Sequence, residues 1–336
     1  MRKKLKFILI LLFIISIGCE EDYTIEKETI SSIEKNTKLK TTSATSGITL
    51  HFQEWLSYNN YDNYDFLRND LEGGSFGGKL DGCDEITNQP VIFIHGNSDK
   101  ALGDVFGQSG WTASVDYFKT NGYTNAELYG FTWGPANVLL SAQQTHSYEY
   151  LSKIRAFIIA VQQYTGAEKV DIIGHSMGVT LARKAIKGGD CYDQTTDTYI
   201  NLGSPLTDIV DTFVGIAGAN RGLVSCYMVS GSTATCNDEV GLYPGYLFWG
   251  MGPYGVSDIL VDINSTQNYE GDNIYTIWST VDEIIGYGCL VYGQYTTRIP
   301  GQDGEKVFNS VPFGHYNSKD LTTNYQLNMV KNHQVN

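Results

Sequence analysis

Gly174-His175-Ser176-Met177-Gly178 sets one hydroxyl between two glycines, each two residues away. A short apolar run, Lys169-Val170-Asp171-Ile172-Ile173, precedes it. Apolar residues at helical spacing follow: Val179, Leu181, Ala182, Ala185 and Ile186. Strand, then G-x-S-x-G, then helix is the context of a nucleophile elbow. Side chains at the two glycine positions would strike the adjoining strand and helix, and glycine has no Cβ to do so. The serine is expected at the apex, in a strained backbone conformation, with its hydroxyl exposed. A glycine-containing surface turn would match the five letters but not their flanks.

A serine hydroxyl needs a base within hydrogen-bond reach, and the base needs a third group to orient it. The histidines are His51, His95, His146, His175, His315 and His333. His175 lies inside the elbow and should point away from the hydroxyl. On strand–turn–helix scaffolds of this kind the acid and the base follow the serine in the chain, which sets aside His51 and His146. His333 is three residues from the end, where chains fray. His315, in Phe313-Gly314-His315-Tyr316, is left as the candidate base. The acid should follow a strand between the two. Asn273 to Trp278 is β-branched and aromatic, and Asp282 comes just after it. Glu283 is the local competitor; Asp258, Asp262, Asp272 and Asp303 are weaker ones.

The oxygen that becomes negative during acyl transfer needs preorganised donors. Pro90-Val91-Ile92-Phe93-Ile94 reads as a buried strand and runs into His95-Gly96-Asn97. An H-G motif after an early strand supplies one such N–H, and the residue after the nucleophile supplies the other. Here these are the backbone amides of Asn97 and Met177. His95 is expected to shape the loop rather than transfer protons.

These groups need a frame that brings distant loops together. Strand-like runs occur at Val91–Ile94, Ala126–Trp133, Val170–Ile173, Thr212–Ala217 and Asn273–Trp278. Tyr148–Tyr164 has helical spacing and stops at Thr165-Gly166. Strands alternating with helices imply a mostly parallel sheet covered on both faces, with its site beyond the C-terminal ends of the strands. Tyr243 to Tyr254 is dense in aromatics and glycine and fits neither template. Leu223 to Asn268 therefore reads as an insertion over the site, with Phe248 and Trp249 contacting an acyl chain. A satellite hydrophobic cluster under a long loop fits equally well.

Pro90–Asn97, Gly110-Trp111, Gly122-Tyr123, Trp133-Gly134, the Gly174–Gly178 elbow, Gly215–Gly222 and Gly314-His315 together resemble the class 2 lipases, from Pro90 to the C-terminus. The resemblance implies an α/β-hydrolase fold and carboxylic-ester hydrolysis. It implies Ser176, Asp282 and His315 as the triad, with Asn97 and Met177 as oxyanion donors. It is closer to the larger, nematode-type members, and the long stretch between Gly222 and Asn273 departs from the minimal bacterial ones.

The remaining sequence bounds location and partners. Arg2, Lys3, Lys4 and Lys6 precede an apolar run from Phe7 to Ile17, which is too short to span a bilayer. Ser16-Ile17-Gly18-Cys19 looks like a lipobox, so residues 1–18 read as a lipoprotein signal and Cys19 as the lipidated residue. Ordinary cleavage and secretion is the alternative. The polar stretch 19–46 reads as a flexible tether, and 47–336 as the α/β-hydrolase domain, with 223–268 a cap or lid. The expected location is the outer membrane or cell surface. The net charge is −14, and removing residues 1–18 takes away four basic and no acidic residues, leaving −18. Such a surface repels phosphate backbones, so nucleic acid is excluded as a partner. No protein partner is signalled. Cys83, Cys191, Cys226, Cys236 and Cys289 remain, and Cys226–Cys236 closes the shortest Gly/Ser-rich loop. No metal-ligand spacing appears. Gly73–Lys79 matches the start of a phosphate loop, but Leu80 stands where Ser or Thr would hold magnesium, so it reads as a glycine loop. The expectation is a cofactor-free serine ester hydrolase acting on acylglycerols or other lipid esters. The alternatives are a thioesterase, amidase or polyester hydrolase on the same scaffold, or a non-catalytic surface-anchored binding protein.

Overall fold

A computed structural model describes residues 44–227, 229 and 231–336. The export segment 1–18, Cys19 and the tether as far as residue 43 lie outside the described residues. The central sheet has strands β1 (Gly47–Ile48), β2 (Ser75–Gly77), β3 (Val91–Ile94), β4 (Leu128–Phe131), β5 (Val170–His175), β6 (Val210–Ile216), β7 (Asn273–Ser279) and β8 (Gly304–Phe308). Their spatial order is β1-β2-β4-β3-β5-β6-β7-β8. Every pairing is parallel except that of β2 with β4. The helices are α1 (Leu50–Tyr58), α2 (Thr112–Thr120), α3 (Tyr148–Thr165), α4 (Met177–Lys187), α5 (Asp258–Asn264), α6 (Asn317–Asp320) and α7 (Thr323–Asn332).

Alternation along the strands makes the two faces. Ile92, Ile94, Tyr129, Phe131, Ile172, Phe213, Ile274 and Trp278 point one way, into a core closed by α1, α3, α4 and α5. Val91, Phe93, Leu128, Ile173, Val214, Ile216, Tyr275 and Ile277 point the other way, against Val115 and Phe118 of α2 and Met329 and Val330 of α7. A parallel sheet covered on both faces is the α/β-hydrolase architecture the resemblance implies. The five expected strands are β3 to β7. α3 runs one residue past the expected stretch: the Ser147 hydroxyl caps its start by accepting from the Tyr150 amide at 3.3 Å, and Gly166 closes it at φ 70°.

Two readings need correction or detail. Gly73–Lys79 is not simply a loop, because Ser75–Gly77 forms β2, with Phe76 buried. Gly130 makes room for that ring: a Cβ there would sit 2.5 Å from Phe76 Cε1. Within 223–268 the chain does adopt regular structure, a two-stranded ribbon (Tyr246–Phe248 with Met251–Tyr254) and then α5, whose Ile259, Leu260 and Ile263 join the main core. The Cys226–Cys236 disulfide is formed at the start of this segment.

The register aligns the strand ends that matter. Ile94 of β3 pairs with Gly174 of β5, His175 with Ile216 of β6, and Ile216 with Ile277 of β7. The loops leaving β3, β5 and β7 therefore start at the same level of the sheet edge, with β6 between the last two. After β3 the chain first builds outward to β4, then returns to add β5 on the other side. That reversal opens a crevice between β3 and β5, where sheets of this kind hold ligands.

Candidate active site

Ser176 sits on the turn from β5 into α4 with φ 53° and ψ −127°. Its amide donates to the Ile216 carbonyl oxygen at 2.8 Å, which fixes the turn against the neighbouring strand. Glycine is required at 178 and closely fitted at 174. A Cβ on Gly178 would lie 2.4 Å from the His95 carbonyl oxygen and 2.5 Å from that of Ile94; one on Gly174 would press on Val179 Cα at 3.1 Å. This close approach drives the N-terminus of α4 between the ends of β3 and β5. The serine stays half-buried, at the rim.

His315 reaches the same rim from the loop after β8. Its Nε2 lies 3.0 Å from Ser176 Oγ, and its Nδ1 lies 2.8 Å from Asp282 Oδ2. Asp282 and His315 are buried. The other carboxylate oxygen of Asp282 accepts the Ile284 and Ile285 amides at 2.9 and 2.8 Å. An ionised carboxylate can only accept, so the proton of a neutral imidazole is held on Nδ1 and the Nε2 lone pair faces the serine hydroxyl. Glu283, the competing acid, does not contact the ring. Its Oε2 accepts the His315 backbone amide at 3.0 Å and so holds the loop that carries the ring.

The loop after β3 closes the other side. A Cβ on Gly96 would stand 3.0 Å from Ser176 Cβ, so Gly96 lies directly against the serine, with Asn97 next in the chain. The Asn97 side chain is engaged elsewhere: its Nδ2 donates to the Ser141 carbonyl oxygen at 2.9 Å, and its Oδ1 accepts from Ser98 Oγ at 3.0 Å. Met177 opens α4, where a first-turn amide has no partner within the helix. The Asn97 and Met177 amides thus belong to the two segments that flank the hydroxyl.

The other buried histidines are locked. His95 Nδ1 donates to the Gly96 carbonyl oxygen at 2.7 Å, and its Nε2 accepts the Trp133 amide at 3.1 Å, with the two rings stacked. Burial pushes its pKa down to about 4. His146 Nδ1 donates to the Val240 carbonyl oxygen at 3.0 Å and its Nε2 meets Thr180 Oγ1 at 2.7 Å. Burial likewise brings it to about 4. His175 points away from the serine and donates from Nε2 to the His315 carbonyl oxygen at 3.2 Å. Burial, then the neighbouring His315 and Lys319, hold its pKa well below the usual histidine range.

Phe248 and Trp249 are not brought to this cluster. They stand exposed at the turn of the 246–254 ribbon, Trp249 at 87 % of its full accessibility, and Phe248 makes its ring contact with Trp249. Sequence reasoning missed the ion pair beneath the site. Lys319 of α6 is buried with its Nζ 2.9 Å from Asp99 Oδ2 and 3.0 Å from Ser109 Oγ. It ties the segment after His315 to the loop after Asn97. No local pattern signals a pair separated by 220 residues. Among the described residues no cluster of three or more His, Cys, Asp or Glu could hold a metal ion.

The family model described as Lipase (class 2) matches residues 88–328. Among solved structures, Aspergillus fumigatus lipase B is 16 % identical with a TM-score of 0.43; the match covers 73 % of this chain and 50 % of that one, so this chain spans half the length of that relative. A truncated carbohydrate esterase from gut microbiota is 13 % identical over 87 % of this chain and 95 % of that chain, with a TM-score of 0.48. The Paleococcus ferrophilus monoacylglycerol lipase is 14 % identical over 77 % and 98 %, with a TM-score of 0.42. No curated protein sequence matches significantly.

Proposed function

The chain belongs to the class 2 lipase family and is an ester hydrolase of the lipase and esterase type; from that premise we propose that it cleaves carboxylic esters through an acyl-enzyme on Ser176. His315 takes the hydroxyl proton through Nε2 as Ser176 Oγ attacks the ester carbonyl carbon, then passes that proton to the departing alkoxide. Asp282 holds the imidazole by its Nδ1–H and stabilises the imidazolium. The Asn97 and Met177 amides receive the carbonyl oxygen as it becomes negative, each contributing on the order of 3 kcal/mol. Water, deprotonated by His315, then releases the acid and restores Ser176.

The single observation that carries this reading is the continuous hydrogen-bond chain Ser176–His315–Asp282, at 3.0 and 2.8 Å, at one sheet edge. As substrates we propose acylglycerols or other lipid esters, on the strength of the family. Residues 2–19 support export and lipidation at Cys19, which would hold the enzyme at a membrane.

A fluorophosphonate probe tests the chemistry. The wild-type protein should be labelled and lose its activity on p-nitrophenyl butyrate. Ser176→Ala should take no label and fall by about a million-fold in kcat, as when triad members are removed elsewhere. A folded wild-type protein that neither labels nor turns over any ester would refute the reading.

A further inference from the structure

Away from Ser176, a cavity of about 380 Å³ opens beneath the 246–254 ribbon, within the size range of small-molecule sites. None of Ser176, Asp282 and His315 lines it. Its walls are divided. Leu247, Val256 and Tyr292 supply apolar surface, while Arg221, Asn264 and Gln294 form a polar part. The Tyr292 hydroxyl donates to the Gly245 carbonyl oxygen and so joins the root of the ribbon to the opposite wall.

Arg221 is the informative group. It follows β6, and its amide donates to Thr296 Oγ1 at 2.9 Å, which fixes the backbone. Its guanidinium is half-buried, and among the described residues no carboxylate forms an ion pair with it. The charge acting on it is a like one, Arg183, and that cation is already neutralised by Glu270 at 2.7 Å. A cation withdrawn from water costs free energy unless an anion meets it. In a chain carrying 37 acidic residues against 23 basic ones, its lack of an acidic partner calls for a ligand.

We propose that this cavity binds a carboxylate with an aliphatic body, the head paired with Arg221 and the tail laid along Leu247, Val256 and Tyr292. A planar guanidinium matches a carboxylate in two parallel hydrogen bonds, and one unpaired cation matches one negative charge. Fatty acids belong to this class, and so do the acids released by ester cleavage. The site does not depend on the Ser176 chemistry, because it is tested in a protein that lacks that hydroxyl.

The experiment is calorimetric titration of the full chain carrying Ser176→Ala with hexanoate, octanoate and decanoate below their micelle concentrations. Affinity should rise about fourfold per methylene, as each CH₂ leaves water. Octanol should bind at least tenfold more weakly than octanoate. Adding Arg221→Gln should weaken octanoate at least tenfold, with Arg221→Lys falling between. Leu247→Glu, a change at the exposed mouth, should present a carboxylate to Arg221 and abolish binding without lowering the melting temperature. Equal octanoate affinity with arginine and glutamine at position 221, or no binding at all by the folded protein, would overturn the proposal.

Discussion

Asp282→Asn tests the orientation of the acid, and the structure fixes how the new amide must lie. In the native site one carboxylate oxygen accepts two backbone amides, those of Ile284 and Ile285, and the other faces His315 Nδ1. Asparagine keeps only one acceptor oxygen, and two buried N–H donors claim it. The –NH₂ group is then turned toward His315 and donates to Nδ1. That forces the imidazole proton onto Nε2, where it opposes the serine hydroxyl instead of accepting from it. The shape of the site is preserved and the tautomer is wrong. In the serine-protease triad the equivalent change lowers kcat by about 10⁴, which is about 5.4 kcal/mol of transition-state stabilisation. The assay is kcat/KM on p-nitrophenyl butyrate, with the fluorophosphonate labelling rate measured in parallel. Both should fall by about the same factor while the melting temperature stays within a few degrees of wild type. A loss under tenfold would refute the tautomer argument. So would a loss accompanied by unfolding.

Two further outcomes follow from the buried polar groups. His95 and His146 titrate near 4 in the fold and near 6.5 when unfolded, so the unfolded chain takes up their protons first as pH falls. Stability should therefore drop between pH 6.5 and 4, by up to about 3 kcal/mol for each ring. Asp171, whose pKa burial raises, works in the opposite sense; comparing wild type with His146→Gln by thermal melts isolates one ring's share, and an unchanged pH slope would count against it. Lys319→Met leaves Asp99 buried without its cation and should cost about 3–5 kcal/mol in urea unfolding, with Asp99→Asn in the same chain recovering part of the loss.

The elbow was legible because three local signals coincide within twenty residues: an apolar run, glycines at fixed offsets and helical spacing. The five inner strands were legible for a similar reason, since burial on both faces leaves runs such as Val91–Ile94 almost wholly apolar. The outer strands were not. β1 has two residues, β2 is Ser-Phe-Gly, and β8 carries Glu305 and Lys306 on an edge where charge is tolerated. The cluster of Ser176, Asp282 and His315 could be anticipated because chain order constrains it. Glu283 under the His315 amide and Lys319 against Asp99 depend on long-range packing, which leaves no periodic trace. Phe248 and Trp249 misled because an aromatic run reads as something to be buried, whereas a ribbon turn holds both rings in solvent.

The clearances around Ser176 restrict how such an enzyme can diversify. Gly96, Gly174 and Gly178 leave no space for even one added methyl group without moving backbone or the nucleophile itself. Adaptation to a new ester is therefore closed at the two turns, after β3 and after β5, that carry these glycines. It must be written outside them, in segments such as the exposed 246–254 ribbon, where exchanges leave the inner geometry untouched.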